Sequence, residues 1–324
     1  MSKSNEELMM DNLYWWGIPT LFRCPNKPNP EDCDIALVGV PHSTGNGTTE
    51  RDQHLGPRAV RNISAGLRRV HLDFDINPWE IKKIHDLGDV PLPQANNNEK
   101  CIEDITNYFE KIAKANKPVV SIGGDHSITG GILQGLGKNN LSLTKGKKIS
   151  FLHIDAHTDT FNQLDHFLGA KKSAAHWGSY LVDDGIIDPS SSMQIGMRGN
   201  PRTLDWLQPS YDLGYNVVTM QEFQQRGIQD VISQTLDKLG DNPIYITFDL
   251  DSLDASVAPA VSNIEPSFTG FTMEEAKSLI QSVKDKNVIG GDVVCLMPTK
   301  DSPNNITSMV AASIMFEIIS VIAY

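Results

Sequence analysis

The sequence predicts an α/β protein with one three-layer α/β/α domain, in which a mainly parallel sheet lies between layers of helices. Seven short runs rich in Val and Ile are nearly continuous in apolar character, as strands covered on both faces are. Longer helical stretches separate these runs from residue 34 onward, and such regular alternation is typical of a doubly wound sheet. The 324-residue chain shows no internal repeat or linker. We therefore expect one domain at 34–324, preceded by an N-terminal extension at 1–33.

The predicted elements alternate along the chain. Strands are expected at 34–40, 117–123, 148–155, 192–197, 215–220, 242–251 and 287–294. Helices are expected at 57–70, 103–115, 230–239, 273–285 and 305–324. The last of these is apolar on all sides, so we expect it to pack against the sheet.

The composition is that of a globular protein with an acidic surface. The 28 Lys and Arg residues and the 40 Asp and Glu residues give a formal net charge of −12. This charge disfavours an extended nucleic-acid surface and fits a cationic small ligand or bound metal ions. The four cysteines form no CxxC pair, which favours a reducing compartment. The chain lacks a signal-peptide pattern and any run of roughly 20 apolar residues. We therefore expect a cytoplasmic protein with neither nucleic acid nor membrane as a partner.

Three predicted strands end in clusters of Asp and His. GGDHS (123–127) follows one strand, while HIDAHTDT (153–160) and FDLDSLD (248–254) end two others. Ligands of such sheets bind outside the carboxyl ends of the strands. A single HxD or DxD pattern is weak evidence, but three clusters at three strand ends together predict a metal site.

Alternation of side chains along a strand predicts which of these groups converge. Residues 155, 157 and 159 should point to one side, as should 249 and 251. The convergent set is then His126, Asp155, His157, Asp159, Asp249 and Asp251. Four buried carboxylates without partners would repel one another and lose their hydration. Two divalent cations would cancel that charge, and this set of ligands suits Mn, Ni or Zn better than Ca.

These blocks resemble those of the ureohydrolase family, which includes arginase, agmatinase, guanidinobutyrase and formimidoylglutamase. GGDHS, HIDAHTDT and FDLDSLD are similar to its three signature blocks, and GVPHSTGNG with GPRAVR resembles its N-terminal substrate-loop region. The similarity covers roughly residues 34–320. It implies an arginase-like fold and a hydrolase of the C–N bonds of linear amidines. It also implies a homo-oligomer, a trimer or hexamer, or a hetero-oligomer with a paralogue.

The resemblance further implies two divalent ions per chain, Ni or Mn. One ion would bind His126, Asp155, Asp159 and Asp249. The other would bind Asp155, His157, Asp249 and Asp251, so that Asp155 and Asp249 bridge the two ions.

The implied mechanism uses a metal-bound hydroxide that attacks the planar guanidinium carbon. Asp159 would relay a proton to the departing nitrogen, and His176 would exchange protons with solvent. The family often carries an HGxP-like loop at this place, whereas this chain reads HWGS at 176–179. His153 is interpreted as a neighbour of the substrate pocket and not as a ligand.

The chain departs from the family at DVVCLMP, where Cys295 stands at the position of a glutamate that pairs with the substrate guanidinium. The change removes a charge-assisted hydrogen bond of about 1.5–3 kcal/mol. Arginine and agmatine therefore become less favoured substrates. The aromatic segment after the HIDAHTDT block, with Phe161, Phe167, Trp177 and Tyr180, is a candidate wall for a compact apolar pocket.

The patterns GNGTTERDQHLGPRAVR and AAHWGSYLVDDG resemble the guanidine hydrolase and metformin hydrolase branch of the family. Guanidine or metformin is accordingly the expected substrate. An agmatinase or guanidinobutyrase-type enzyme and a non-catalytic partner subunit are the competing hypotheses. A single-zinc deacetylase of the same fold is disfavoured because GGDHS lacks a His-His pair. A covalent role for Cys295 is disfavoured because no Cys–His arrangement accompanies it.

Overall fold

The computed structural model describes residues 4–47, 50–137, 142–162, 169–265 and 269–324. An eight-stranded sheet forms its centre, and every neighbouring pair of strands is parallel. The strands are β1 Ile35–Gly39, β2 Ile84–Asp89, β3 Val119–Ile122, β4 Ser150–Ile154, β5 Met193–Met197, β6 Asn216–Thr219, β7 Ile244–Asp249 and β8 Val288–Val294. Their order in the sheet is β2-β1-β3-β8-β7-β4-β5-β6. The expected α/β fold with a parallel sheet is confirmed.

Helices connect the strands along the described part of the chain. They are α1 Asn5–Asn12, α2 Gly56–Ser64, α3 Pro78–Ile81, α4 Asn98–Lys114, α5 Ser127–Gly137, α6 Trp177–Asp183, α7 Gln208–Leu213, α8 Met220–Arg226, α9 Ile228–Leu239, α10 Met273–Gln281 and α11 Ile306–Ala323. Side-chain caps fix several starts. Thr272 accepts from the backbone N–H of Glu275, and the Glu275 carboxylate accepts from that of Thr272, so two donors at the start of α10 are satisfied.

Two hydrophobic cores lie on opposite faces of the sheet. On one face Ile244, Ile246 and Phe248 of β7 pack with residues of α9, α10 and α11. On the other face Tyr245 of the same strand belongs to a core with residues of α4, α5 and α6. Successive side chains of a strand point to opposite faces, which explains why β7 supplies both cores. The three-layer arrangement follows from this division.

Helix α11 packs against the sheet as the sequence predicts. Taken alone, Ile306–Ala323 is long and apolar enough to cross a membrane, but 72% of it is buried inside the fold. Val310, Ile314 and Ile318 are among its core residues. The apolar character of α11 is therefore that of a core helix.

Strand β2 and helix α5 were missed in the sequence interpretation. Strand β2 reads IHDLGD, and its polar residues hide the strand pattern. Asp86 is nevertheless buried, because its Oδ2 accepts hydrogen bonds from Arg61 Nε and from the backbone N–H of Leu21, each at 2.8 Å. Helix α5 contains several glycines, which disfavour a helix when the sequence is considered alone. A Cβ at Gly135 would lie 2.6 Å from the carbonyl oxygen of Thr106 in α4, so close packing of the two helices requires glycine there.

Part of the segment before residue 34 belongs to the core. Leu21, Phe22 and Cys24 are buried with residues of the sheet, and Asn26 pairs with Asp86 beside β2. The division of the chain into an extension at 1–33 and a domain at 34–324 stays a prediction.

The strand order brings the polar clusters of the sequence to the middle of the sheet. Strands β3, β8, β7 and β4 are neighbours, and each of the three clusters follows one of them. Parallel strands place their carboxyl ends at one edge, where ligands of such sheets bind. The four loops beyond these strands form the candidate site.

Candidate metal centre

The structure brings together all six side chains predicted as metal ligands, although the predicted reason was wrong. Strand β4 ends at Ile154, so residues 155–160 form a loop and do not alternate as a strand does. Asp159 has a left-handed backbone with φ of 51°. Asp251 lies in the short 3-10 turn Leu250–Ser252, after β7 has ended. The loops therefore aim these side chains, at the cost of a strained conformation at Asp159.

The first group of ligand atoms surrounds His126. Its Nδ1 lies 2.9 Å from Asp155 Oδ2, 3.0 Å from Asp159 Oδ2 and 3.2 Å from Asp249 Oδ2. His126 is buried in the turn between β3 and α5. The second group surrounds His157, whose Nδ1 lies 3.4 Å from Asp155 Oδ1 and 3.2 Å from Asp251 Oδ2. Asp155 thus directs one carboxylate oxygen to each group.

A buried network fixes the tautomer of His126. Thr247 Oγ1 donates to Asp292 Oδ1 at 2.7 Å and lies 2.9 Å from His126 Nε2. Because the single Thr247 hydroxyl proton is committed to Asp292, Nε2–H of His126 must donate to Thr247. Nδ1 is therefore the ring nitrogen that faces the three carboxylates and that would offer its lone pair to a metal ion. Thr129 and Tyr245 also donate to Asp292, at 2.8 and 2.9 Å.

His153 lies in the same cluster, but its Nε2, which faces Asp155, carries a proton. A metal ligand would need a lone pair on that nitrogen. His153 Nε2 is 2.7 Å from Asp155 Oδ2, and its Nδ1 is 3.2 Å from Gln194 Nε2. Gln194 Nε2 also donates to the carbonyl oxygen of Thr158 at 2.6 Å, which fixes the orientation of the amide. His153 Nδ1 accordingly accepts, and its Nε2–H donates to Asp155. Proximity alone groups His153 with the ligands, but the hydrogen bonds make it a support for Asp155.

The electrostatics of the cluster call for cations. Burial alone would lower the pKa of His126, but the three carboxylates around it outweigh burial and raise that pKa well above its usual value. Burial, with the charge of Asp249, raises the pKa of Asp251 well above its usual value. Burial also opposes the charge of Asp155, but its close contacts with His126 and His153 outweigh burial and hold its pKa well below the usual range. The raised pKa values of His126 and Asp251 show that the cluster favours bound positive charge, which divalent ions would supply in place of protons.

The residues fit a pair of divalent cations. Among the residues that the structure describes, His126 Nδ1 has no hydrogen-bond partner with proper geometry, although it is buried and faces carboxylate oxygens. Two groups of donor atoms, sharing Asp155, lie close enough together to hold a metal ion. Four carboxylates would balance the charge of two such ions, and imidazole with carboxylate suits transition-metal ions.

The turn that carries Asp251 is held by a buried arginine at the end of β5. Arg198 Nη1 donates to the carbonyl of Ser252 at 2.9 Å, and Nη2 donates to those of Asp251 and Leu253 at 2.6 and 3.0 Å. Arg198 is 6% exposed. Three hydrogen bonds from one charged group restrain the backbone on both sides of Asp251.

A cavity of about 520 Å³ opens above the cluster. Its size is in the usual range for sites that bind small molecules. The predicted ligands in its lining are His126, His157, Asp159, Asp249 and Asp251. The other lining residues are Asn46, Gly47, Thr158, Phe161, Ala174, Ala175, Arg198, Asn200, Pro201, Arg202, Thr203, Trp206, Asn263, Glu265 and Cys295.

Cys295 lines this cavity directly after β8, with a left-handed backbone at φ of 70°. It is 4% exposed. Burial and the nearby charges of Asp249 and Asp251 raise the pKa of the Cys295 thiol well above its usual value. A protonated thiol is a poor nucleophile, in agreement with the sequence argument against covalent catalysis.

The aromatic residues expected in the pocket wall are placed differently. Phe161 lines the cavity, but Trp177 lies behind the ligands, where its Nε1 donates to Asp159 Oδ2 at 3.0 Å and its ring packs against His126. Tyr180 is not among the lining residues. Phe167 lies outside the described residues. Trp206, which the sequence interpretation did not single out, lines the cavity instead.

His176 lies beside the cavity and does not line it. Its Nδ1 is 2.5 Å from Ser173 Oγ, and the intervening Ala174 and Ala175 form the cavity wall. The predicted role of His176 as a proton shuttle therefore needs a path through this wall or through a neighbouring group.

Sequence reasoning missed the groups that support the ligands. Thr247, Asp292 and Gln194 are polar residues inside strands that are otherwise apolar, and that pattern was the signal by which they could have been found. Glu265 was missed because it lies in a loop. Its Oε1 is 3.3 Å from His157 Nε2, which places a further carboxylate at the cavity.

Comparison with known proteins agrees with this geometry. A sequence profile of the Arginase family matches residues 33–320. The mitochondrial guanidino acid hydrolase of Homo sapiens is 34% identical over 304 residues, covering 94% of this chain and 82% of that protein. Guanidinopropionase of Pseudomonas aeruginosa is 30% identical, covering 95% and 92%.

A solved structure shows the same likeness in three dimensions. Proclavaminate amidino hydrolase from Streptomyces clavuligerus superposes with a TM-score of 0.86 at 28% identity, covering 96% of this chain and 98% of that one. The buried cluster, the parallel sheet and the coverage of both chains all support the same family assignment. The chain belongs to the Arginase family and is a metal-dependent hydrolase that acts on the C–N bonds of guanidino compounds.

Proposed function

We propose that this enzyme hydrolyses guanidine or a biguanide such as metformin in preference to arginine or agmatine. The observation that carries the proposal is the place of Cys295, which lines the cavity next to the cluster and offers an uncharged thiol. The apolar walls at Phe161, Ala175 and Trp206 support a substrate that bears methyl groups. A cavity of about 520 Å³ leaves room for a biguanide as well as for free guanidine.

We also propose the ligand sets and the ions. His126, Asp155, Asp159 and Asp249 would hold one divalent ion, and Asp155, His157, Asp249 and Asp251 the other, with Ni or Mn as the metal. When bound, the pair supplies a hydroxide nucleophile at neutral pH. The division of the Asp155 oxygens between His126 and His157 supports this assignment.

Asp159 is the proposed proton relay. Trp177 Nε1–H donates to its Oδ2 and holds the carboxylate in place, so Oδ1 is the atom that would hold a proton for the departing nitrogen. The left-handed backbone of Asp159 keeps the side chain at the cavity surface. His176 is proposed to exchange this proton with solvent, with its ring held by the contact between Nδ1 and Ser173 Oγ.

A guanidino acid is the second candidate substrate. Arg202 lines the cavity, and an arginine there suits a carboxylate at the far end of the substrate. The names of the human and Pseudomonas relatives, a guanidino acid hydrolase and a guanidinopropionase, point the same way. Two alternative functions remain beside these candidates. One is agmatinase or guanidinobutyrase-type activity, and the other is the role of a non-catalytic partner subunit. We further propose a cytoplasmic homo-oligomer, or a hetero-oligomer with a paralogue.

The test is a substrate panel with the purified chain alone. Protein loaded with Ni or with Mn is incubated with guanidine, metformin, agmatine, guanidinobutyrate, guanidinopropionate and arginine, and urea, guanylurea and amine are assayed. We expect the highest kcat/KM for guanidine or metformin. Higher values for agmatine or a guanidino acid would contradict the proposed substrate. Inactivity of the loaded chain that a paralogue restores would identify a supporting subunit.

A matched variant tests the role of Cys295. Restoring a carboxylate with Cys295→Glu should raise kcat/KM for agmatine about tenfold or more, because one charge-assisted hydrogen bond is gained. The same variant should lose activity on metformin. Cys101→Ala, at a buried cysteine in α4, is the control and should leave the preference unchanged. An unchanged preference in Cys295→Glu would contradict the reasoning.

A further inference from the structure

The cavity contains one carboxylate that the metal centre does not use. Among the described lining residues the carboxylates are Asp159, Asp249, Asp251 and Glu265. The first three belong to the ligand sets, whereas Glu265 comes from the loop after residue 261. We propose that Glu265 binds the cationic guanidinium group of the substrate and so selects charged over neutral molecules. This inference rests on the proposed function, because it names the group that recognises that substrate class.

The position of Glu265 suits a molecule that lies over the cluster. Its Oε1 is 3.3 Å from His157 Nε2, and His157 contacts the cluster through its other ring nitrogen. The Glu265 side chain is 21% exposed. Because Glu265 and the ligands line the same cavity, a substrate bound over the cluster would lie near this carboxylate, which is sheltered enough for its charge to act strongly.

The fold makes room for this carboxylate at one glycine. Gly199 follows β5 with φ of 104°, a conformation that glycine adopts readily. A Cβ at this position would lie 2.5 Å from Glu265 Oε2. The carboxylate thus packs against the backbone of the loop, which limits the directions in which it can point.

The surrounding charges leave Glu265 able to bind a cation. The Nη atoms of Arg198, the buried arginine nearby, donate to three backbone carbonyls. Among the described residues, the ionic contact recorded for Glu265 is the one with His157. The four ligand carboxylates would be balanced by two divalent ions. A guanidinium group would then find in Glu265 a partner for a charge-assisted hydrogen bond.

The competing role for Glu265 is to orient His157 alone, as carboxylates often do behind metal-bound imidazoles. The two roles predict different measurements. A positioning residue affects metal affinity and every ligand of the cavity alike. A guanidinium-binding residue affects cationic ligands and spares neutral ligands of the same shape.

The experiment compares guanidinium with urea, which has the same planar shape but no charge. Binding to the metal-loaded enzyme is followed by tryptophan fluorescence in a stopped-flow instrument before turnover accumulates, since Trp206 lines the cavity. In Glu265→Gln we expect guanidinium affinity to fall about tenfold or more, with urea affinity and metal content unchanged. Glu265→Asp should bind guanidinium with intermediate affinity. Glu274→Gln, which makes the same charge change at an exposed site on α10, is the control and should bind both ligands as wild type does.

Several outcomes would overturn the inference. They are equal losses for guanidinium and urea, loss of metal from Glu265→Gln, no change in either affinity, or a Glu265→Asp variant no better than Glu265→Gln. Failure of the proposed function is separable, because a wild-type enzyme that prefers guanidinium to urea but hydrolyses no guanidine compound would refute the reaction and leave the role of Glu265 intact.

Discussion

Removing the hydroxyl of Thr247 should weaken metal binding, although Thr247 is not itself one of the proposed ligands. Thr247 is fully buried and joins His126 Nε2, at 2.9 Å, to Asp292 Oδ1, at 2.7 Å. Thr247→Val keeps the shape of the side chain but leaves a buried N–H of His126 without its acceptor. Such a loss costs about 1–3 kcal/mol. Loss of a partner behind a metal-bound imidazole typically lowers metal affinity by about 10–100-fold.

The measurement is competition between the protein and a chelator of known affinity, with unfolding in urea recorded for the metal-free protein. Thr235→Val is the matched control, because Thr235 is also fully buried but donates within α9 to the carbonyl of Val231. We expect both variants to change stability and Thr247→Val alone to lose metal affinity. Unchanged metal affinity in Thr247→Val, or an equal loss in Thr235→Val, would refute the argument that Thr247 fixes the tautomer of His126.

Three further predictions concern catalysis, pH and metal. Trp177→Phe removes the N–H donor to Asp159 Oδ2, so kcat should fall about tenfold with little change in KM; an unchanged kcat in steady-state assays would contradict the proposed relay. Burial opposes the charge of Asp86, but the hydrogen bonds and charge of Arg61 outweigh it and hold the pKa of Asp86 below its usual value. The stabilisation by ionised Asp86 is therefore full above an unfolded-state pKa of about 3.9 and is lost as pH falls toward the lower folded-state value. Denaturation of Asp86→Asn should show its largest deficit from wild type near pH 7 and a smaller one below about pH 4, whereas exposed Asp237→Asn should show little at either pH. Adding Mn or Ni to chelator-treated protein should raise Tm, because at a metal concentration 100 times Kd the free energy of unfolding increases by about 2.7 kcal/mol. An unchanged Tm would argue against binding of these ions at the site.

The sheet could be predicted largely from its apolar runs, and the failures have identifiable causes. Most of the strands are covered by helices on both faces, so their sequences are nearly continuous in Val and Ile. Strand β2 lies at the edge of the sheet, and its Asp86 is buried through a pairing with Arg61 that no local pattern announces. Helix α5 depends on glycines that pack against α4, so tertiary contact overrides weak helix propensity.

The positions of site residues could be predicted where they lie at the ends of strands. The directions of side chains could not be predicted where tertiary contacts outside the strands determine them. The positions of His126 and Asp249 followed from the ends of β3 and β7. The direction of Trp177 did not, since a side chain at the start of a helix can face the cavity or the ligands, and the structure places this ring behind the ligands. Glu265 reaches His157 across 108 positions of sequence, a contact that no spacing rule would indicate.

The place of β8 in the sheet has a consequence for how the site is made. This strand pairs with β3 on one side and β7 on the other, and Asp292 within it accepts hydrogen bonds from Thr129 and from Thr247. Until residues 288–294 have been synthesised, the strand before His126, β3, has no fixed position relative to the strand that carries Asp249, β7. Such distant pairings form slowly. A nascent chain thus cannot assemble the ligand set that contains His126 early, and the ion of that set binds only a nearly complete fold.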